Sequence, residues 1–209
     1  MDNQLTTATT KLREGGIVAF PTDTVFGLGS DAFNIGAIEK IFLLKGRPRG
    51  MPLPILVNSI DSVLDLAHPI PSLFWAIADR LWPGALTIVL PKSENVPQIV
   101  TSRGWKIGVR MPDHHVPLQL ISSLGSPIIG TSANISGTPP ALTASDVRSH
   151  FGDQLDFVID EQPNPTGIAS TLLDLTTSPP KIVRLGSVRA IDIEKACGSL
   201  IQSETFGQD

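Results

Sequence analysis

The sequence carries a single cysteine, Cys197, among 209 residues. It can form neither an internal disulfide nor a cysteine-based zinc centre, and it fits a reducing compartment. No apolar run approaches the ~20 residues of a membrane-spanning helix. The opening stretch, MDNQLTTATTKLREGG, lacks the hydrophobic centre of a secretory signal. A cytoplasmic location with no membrane partner is expected. A basic excess is also missing, with 16 Lys and Arg against 20 Asp and Glu and a formal charge of −4. Phosphate neutralisation supplies most nucleic-acid affinity, so a domain devoted to nucleic acid usually carries net positive charge. The motifs G-x-x-x-x-G-K-[ST], G-x-S-x-G and H-E-x-x-H are absent, as is any paired-carboxylate motif. These absences exclude a Walker phosphate loop, a hydrolase nucleophile elbow and a zinc-peptidase helix. His114 and His115 are adjacent, so in a helix their side chains diverge and cannot share a metal. They read as turn and cap residues.

What is present describes a folded chain. Hydrophobic residues make up 41% and charged residues 17%, too apolar for disorder. A chain of this length can bury roughly 70% of its unfolded surface, enough for a core without staples. Eighteen glycines and 18 prolines follow no period, which excludes collagen and implies many fixed turns. No repeat, linker or boundary appears. Residues 1–209 therefore read as one domain, with a core of about 8–190 and frayed ends at the Thr-rich start and at 203–209.

Short β-branched runs predict strands at 17–20, 53–57, 86–90, 106–110, 127–129, 155–159, 171–175 and 181–184. Helical patterns lie between several of them. Asn34 can cap a helix whose face is Ile38, Ile41, Phe42 and the Leu44 or Lys45 stem, stopping at Gly46. Further helices are expected at 71–81, at 116–124, after a Thr143/Asp146 capping box, and at 192–201. Strands mixed with helices give an α/β fold with flanking helices. The late strands lack intervening helices, so the sheet is expected to be a twisted, open, mixed one.

Polar residues in loops are not explained by a core. Pro21–Gly29, after the first strand, offers Thr22 and Thr24 at a strand end, where α/β sheets bind ligands. A Pro/Gly turn satisfying its own threonines explains the same residues. Lys45-Gly-Arg47-Pro-Arg49 separates three cations by backbone-fixing residues, an arrangement suited to polyphosphate. A helix C-terminus attracting cations is the plainer account. Gly130-Thr131-Ser132-Ala-Asn134-Ile-Ser136-Gly137 offers neutral hydrogen bonding to phosphate oxygens, or simply an Asx/ST turn. Thr87, Arg110, Ser170 and Arg184 stand singly at strand ends, the arginines suited to an ion pair or to an anion. Anion-binding candidates outnumber nucleophiles and acid–base groups. That balance fits a protein that positions and neutralises a phosphorylated substrate.

The ordered set PTDTVFGLGSDA, KGRP, WPGALTIVL, IGVRMPDH, GTSANISG, ASTLLDL and IVRLG resembles the YrdC/TsaC family over about residues 8–190. The family's K-x-R and S-x-N signatures fall on Lys45/Arg47 and Ser132/Asn134. The resemblance implies a twisted α/β fold with a concave ligand face. It implies synthesis of L-threonylcarbamoyl-AMP and pyrophosphate from L-threonine, bicarbonate and ATP. The product serves modification of adenosine 37 in tRNA reading ANN codons. It further implies that Lys45 and Arg47 hold the triphosphate, with Ser132, Asn134 and Arg184 completing an ATP site. Thr24, Arg110 and Ser170 would contact threonine, with Thr22, Thr87 and Thr131 lining the cavity. Mg²⁺ would come on the phosphates, with no protein side chain as metal ligand and no covalent or acid–base residue.

Downstream tRNA threonylcarbamoyltransferase components are expected partners, and a weak contact with tRNA or double-stranded RNA is a further expectation. Three departures stand out. Phe26 replaces a common Tyr, Met51 and Leu56 occupy a stretch where longer members carry Asn and His, and 209 residues leave no room for the longer members' extra domain. The short, single-domain type is the closer match. Two rivals remain: a paralogue using another carbamoyl or acyl partner, and an RNA-binding module using Lys45, Arg47, Arg49, Arg103 and Lys106.

Overall fold

The computed structural model describes residues 2–161, 166–198 and 201–203. In chain order its elements are α1 (Asp2–Arg13), β1 (Val18–Phe20), β2 (Gly27–Gly29), α2 (Ile35–Lys45), β3 (Ile55–Leu56), α3 (Ser72–Leu81), β4 (Leu86–Pro91), β5 (Lys106–Arg110), α4 (His115–Leu124), β6 (Ile128–Ile129), β7 (Thr131–Ser132), α5 (Ala144–Phe151), β8 (Phe157–Val158), β9 (Thr171–Asp174), β10 (Lys181–Arg184), α6 (Ala190–Cys197) and β11 (Gln202–Ser203). The fold is the expected mixed α/β arrangement with flanking helices. Its strands form two sheets rather than one, in the orders β7-β2-β1-β8 and β11-β10-β9-β4-β5-β3-β6. Both contain parallel and antiparallel pairs.

The second sheet was hidden by its glycines. Gly27–Gly29 returns antiparallel on β1, so the expected loop 21–29 is the turn and second arm of a hairpin. A Cβ at Gly27 would sit 2.9 Å from the Phe20 ring, and one at Gly29 only 2.6 Å from it. Phe20 is fully buried and occupies the space that side chains on β2 would need. A strand built to leave that space has no apolar alternation to read. The start of the expected loop 130–137 likewise pairs as β7 against β2.

Helix signals were legible. The Asn34 side chain accepts from the Ala37 N–H, and Gly46 ends α2 with φ 57°. Thr143 and Asp146 form the reciprocal capping box at α5. The last helix begins at Ala190, two residues earlier than expected, and stops at Gly198 with φ 67°. The Thr-rich start is not frayed. It is α1, whose Ala8 and Leu12 are fully buried with Val18, Phe20, Leu120 and Ile128 in the smaller of two apolar clusters. Of the tail expected to fray, Ser203 lies in β11 and residues 204–209 lie outside the described residues.

Register sets the site. Leu86 lies opposite Thr171 in the parallel β4–β9 pair, so Thr87 on β4 meets Ser170 just ahead of β9. β5 lies beside β4 and ends at Arg110, while β10 lies beside β9 and ends at Arg184. A methyl group at position 29 would meet both the Phe20 ring and the Ile129 carbonyl. Gly29→Ala should therefore destabilise the fold by about 1–3 kcal/mol, read as a lower urea midpoint with unchanged slope.

Candidate active site

Arg110 is the most enclosed cation of the strand ends, and buried guanidinium must satisfy its donors. Nε donates to the Gly84 carbonyl at 2.9 Å, Nη1 to Thr24 Oγ1 at 3.0 Å, and Nη2 to Asp23 Oδ1 at 2.6 Å. Burial pushes its pKa down while Asp23 opposes that shift, leaving the group charged. The Asp23 and Thr24 backbone carbonyls accept from the N–H groups of Thr166 and Gly167, which clamps the turn from the far side. Thr22, also buried, lies 3.0 Å from Thr24, hydroxyl to hydroxyl.

Thr87 and Ser170 share a hydrogen bond of 2.9 Å. Arg184, at the end of β10, has no carboxylate partner among the described residues. Its Nη2 donates to the Ser170 carbonyl at 2.9 Å and approaches Ser170 Oγ at 3.4 Å. This approach needs Gly186, because a Cβ there would lie 2.2 Å from the Ala169 carbonyl and 2.5 Å from the Ser170 carbonyl carbon.

Lys45 closes the opposite side. Its stem is buried under α2, and its ammonium spends all three protons on one loop. It donates to the Ser132 carbonyl, to the Asn134 carbonyl at 2.7 Å and to Asn134 Oδ1 at 3.2 Å. Ser132 Oγ donates to the same Oδ1 at 2.7 Å, and Asn134 Nδ2 donates to the Ile135 and Thr138 carbonyls. Lys45 and Asn134 therefore shape the 130–138 loop as well as charging it. Thr131 is buried in that loop. Arg47 is held by the Met51 and Pro52 carbonyls through Nε and Nη2. No bond among the described residues occupies its Nη1.

The cations feel one another. Burial and then the Arg47 charge lower the Lys45 pKa from 10.5 to about 8. Burial and then Arg184 lower that of Arg47, and the Arg184 charge also opposes Arg110. Among the described residues, Lys45, Arg47 and Arg184 take part in no ion pair. Like charges gathered without counter-ions are unfavourable in the free protein and favourable around an anion. The expected site residues are thus brought together in two connected groups. Hydroxyls and Arg110 lie on one side, the S-x-N loop with Lys45 lies on the other, and Arg184 and Arg47 lie between them electrostatically.

Other cations are already used. Arg49 pairs with Glu39 at 3.8 Å and lies over Phe42, and Lys106 pairs with Asp174 at 2.8 Å and lies over Trp105. The histidine expectation needs a correction. His114 is the extended N-cap of α4 rather than a helical residue, so the two rings do not diverge but stack with centroids 5.0 Å apart. Their ligand atoms and a Glu161 oxygen lie within 4.8 Å of one another. His114 Nδ1 accepts from the Val116 N–H, which puts the ring proton on Nε2 and leaves no lone pair there for a metal. The cap role holds. Sequence reading gave no role to Asp23 or Gly186. A carboxylate between two threonines was the available signal for the first, whereas nothing local marks the second.

A family model for Sua5, YciO and YrdC proteins, described as telomere recombination, matches residues 10–186. The chain belongs to the Sua5/YciO/YrdC family. A threonylcarbamoyl-AMP synthase of Pyrococcus abyssi is 43% identical to this member over 198 residues, 94% of this chain and 58% of the relative. One of Bacillus subtilis is 38% identical over 200 residues, covering 95% of this chain and again 58% of the relative. The chain therefore spans little more than half the length of these relatives. The crystal structure of P. abyssi Sua5 complexed with L-threonine superposes with a TM-score of 0.95 at 39% identity, covering all of this chain and 62% of that one.

The departures from the family pattern fall into place in this Sua5/YciO/YrdC member. Phe26 is fully buried in the larger apolar cluster, and Leu56 is buried in the smaller one. Met51 is exposed and serves Arg47 through its carbonyl. Among the described residues, no helix is long and apolar enough to cross a membrane.

The Lys45 shift has a pH consequence. Between about pH 8 and 10.5 the unfolded chain holds this proton more than the folded chain does, so its contribution makes stability rise with pH across that window. Lys45→Met should remove that part of the rise, seen by comparing urea midpoints of the two proteins at pH 7.5 and pH 9.5.

Proposed function

We propose that the chain is an ATP-dependent L-threonylcarbamoyl-AMP synthase, a nucleotidyltransferase acting in the cytosol. It joins L-threonine, bicarbonate and ATP and releases pyrophosphate. The product is passed to tRNA threonylcarbamoyltransferase components for adenosine 37 of tRNA reading ANN codons. The observation that carries this reading is the uncompensated charge of Lys45, Arg47 and Arg184, electrostatically coupled to the buried, hydrogen-bonded Arg110–Thr24–Thr22 cluster. Membership in a family whose similar members are named threonylcarbamoyl-AMP synthases supports it.

In this reading Arg47 and Arg184 face the phosphates with their uncommitted N–H groups, and Lys45 adds charge while holding the Ser132–Asn134 loop in shape. Arg110 and Thr24 take the amino acid, Ser170 and Thr87 complete that end, and Thr22 and Thr131 line it. The threonine amine attacks the carbon of carbon dioxide, whose C=O π pair moves onto oxygen as the amine loses a proton, or that of bicarbonate, whose C–OH bond breaks with loss of water; either way a carbamate forms. A carbamate oxygen then attacks the α-phosphorus in line, and the bond from that phosphorus to the bridging oxygen breaks, pyrophosphate leaving with the electron pair. Magnesium carried on the phosphates would neutralise leaving-group charge; the hydroxyls and amide oxygens here suit a hydrated, phosphate-held ion and need not ligate it.

The protein's contribution is placement and charge, since no nucleophile is required. A contact with tRNA stays secondary, because Arg49 and Lys106 are already paired.

The deciding assay incubates the pure protein with ATP, Mg²⁺, bicarbonate and each amino acid in turn, and identifies the adenylate by mass. Threonylcarbamoyl-AMP is expected with L-threonine; its absence refutes the reading. Arg47→Ala should slow pyrophosphate release about a hundredfold, as loss of one transition-state cation or donor does. Ser170→Ala should raise KM for threonine by about fivefold and KM for ATP much less, from loss of a neutral hydrogen bond. An equal rise in both would remove Ser170 from the amino-acid end.

A further inference from the structure

Four cations of the site form one electrostatic series. The Arg47 charge acts on Lys45, and the Arg184 charge acts on both Arg47 and Arg110. By sign of charge alone, a polyphosphate has four places to settle. Among the described residues, Arg110 is the one member of the four with a carboxylate partner, Asp23 Oδ1, 2.6 Å from its Nη2. That pair sums to zero charge, whereas Lys45, Arg47 and Arg184 each keep theirs. Burial does not account for the difference. Lys45 is only 1% exposed and does without a carboxylate, while Arg110, at 7%, has one. Hydrogen-bond satisfaction does not account for it either, since neutral carbonyl oxygens hold Lys45, Arg47 and Arg184 in place.

Asp23 is not sealed in the core. Its side chain stays 17% exposed, and its Oδ2 makes no hydrogen bond among the described residues. A ligand that reaches Arg110 therefore also meets negative charge, which repels a phosphate group far more than it repels a molecule of zero net charge. Arg110 still keeps one N–H on Nη1 and one on Nη2 to offer a carboxylate. We infer that Asp23 sorts the two substrates by charge, cancelling Arg110 so that phosphates are turned away from the amino-acid end while a zwitterion is admitted. The inference rests on the synthase reading above and makes Asp23 the specificity-determining residue between the two ends. Its contribution is a repulsion aimed at the wrong ligand, added to the attraction that Arg110 offers the right one.

Inorganic tripolyphosphate and L-threonine, titrated calorimetrically into the nucleotide-free protein, test it. The wild type should bind one equivalent of tripolyphosphate, and saturation with it should change the L-threonine Kd by less than about twofold. Asp23→Asn keeps the side-chain shape and an acceptor for Nη2 but removes the charge. It should bind a second equivalent, which displaces L-threonine and raises its apparent Kd at least about tenfold. A carboxylate needed only to hold Arg110 in place predicts weaker L-threonine binding in Asp23→Asn and no second equivalent. That result overturns the inference, as does displacement of L-threonine by tripolyphosphate in the wild type; both leave the synthase reading intact. Should Asp23→Asn fail to fold, the wild type decides the matter through salt. Raising KCl from roughly 50 to 300 mM should weaken tripolyphosphate at least about fivefold and L-threonine less than about twofold. Equal weakening of the two overturns the sorting role. A wild type that binds no L-threonine or no tripolyphosphate overturns the synthase reading with it.

Discussion

Mutual repulsion among a few fixed cations is the constraint on which this structure depends. Burial lowers the proton affinity of Lys45, Arg47 and Arg184, the Arg47 charge adds to the shift at Lys45 and the Arg184 charge to that at Arg47, and no carboxylate among the described residues answers them. An unfavourable arrangement of this kind persists only because the chain restrains each group separately. Lys45 is tied to the Ser132 and Asn134 carbonyls, Arg47 to those of Met51 and Pro52, and Arg184 to that of Ser170. Carbonyl oxygens orient a cation and satisfy its donors without cancelling its charge. The charge is therefore left available to a polyanion, already placed and with little reorganisation to undergo.

The Arg110 end of the site is built on the opposite principle. Arg110 does have a counter-ion, Asp23, and is buried against neutral oxygens. Pairing lowers the cost of enclosing it, and what remains is directional hydrogen bonding rather than long-range attraction. Two chemistries thus sit side by side, one offering unpaired charge and the other directional hydrogen bonds. The proposed reaction, which brings a zwitterion to a triphosphate, needs both, because two such ligands differ chiefly in how much charge must be matched.

The sheets make this adjacency possible through register rather than proximity in sequence. Thr87 meets Ser170 because Leu86 is opposite Thr171, and Arg110 meets Thr24 because the turn after β1 is clamped by residues 166 and 167. Close-approach glycines recur at these junctions. Gly27 and Gly29 leave room for Phe20, and Gly186 leaves room for the Ser170 peptide. Each trades local side-chain packing for the passage of one backbone or ring past another.

Helix caps at Asn34 and Thr143 were legible in the sequence because capping is a contact between residues three apart. Strands β4, β5, β9 and β10 were legible for their β-branched runs. So were the residue types of the site, since cations and small hydroxyls in loops have no use in a core. Lost from view were β2 and β7, whose glycines and hydroxyls carry no alternation, and α1, whose buried stripe of Ala8 and Leu12 is diluted by threonines. Composition and local order by themselves determined which chemistry was available and where most elements begin and end. Only tertiary structure decided which cations stand unpaired, that Asp23 is spent on Arg110, and that Thr87 meets Ser170. Those are relations between side chains far apart along the chain, set by pairing register and burial, and no local pattern encodes them.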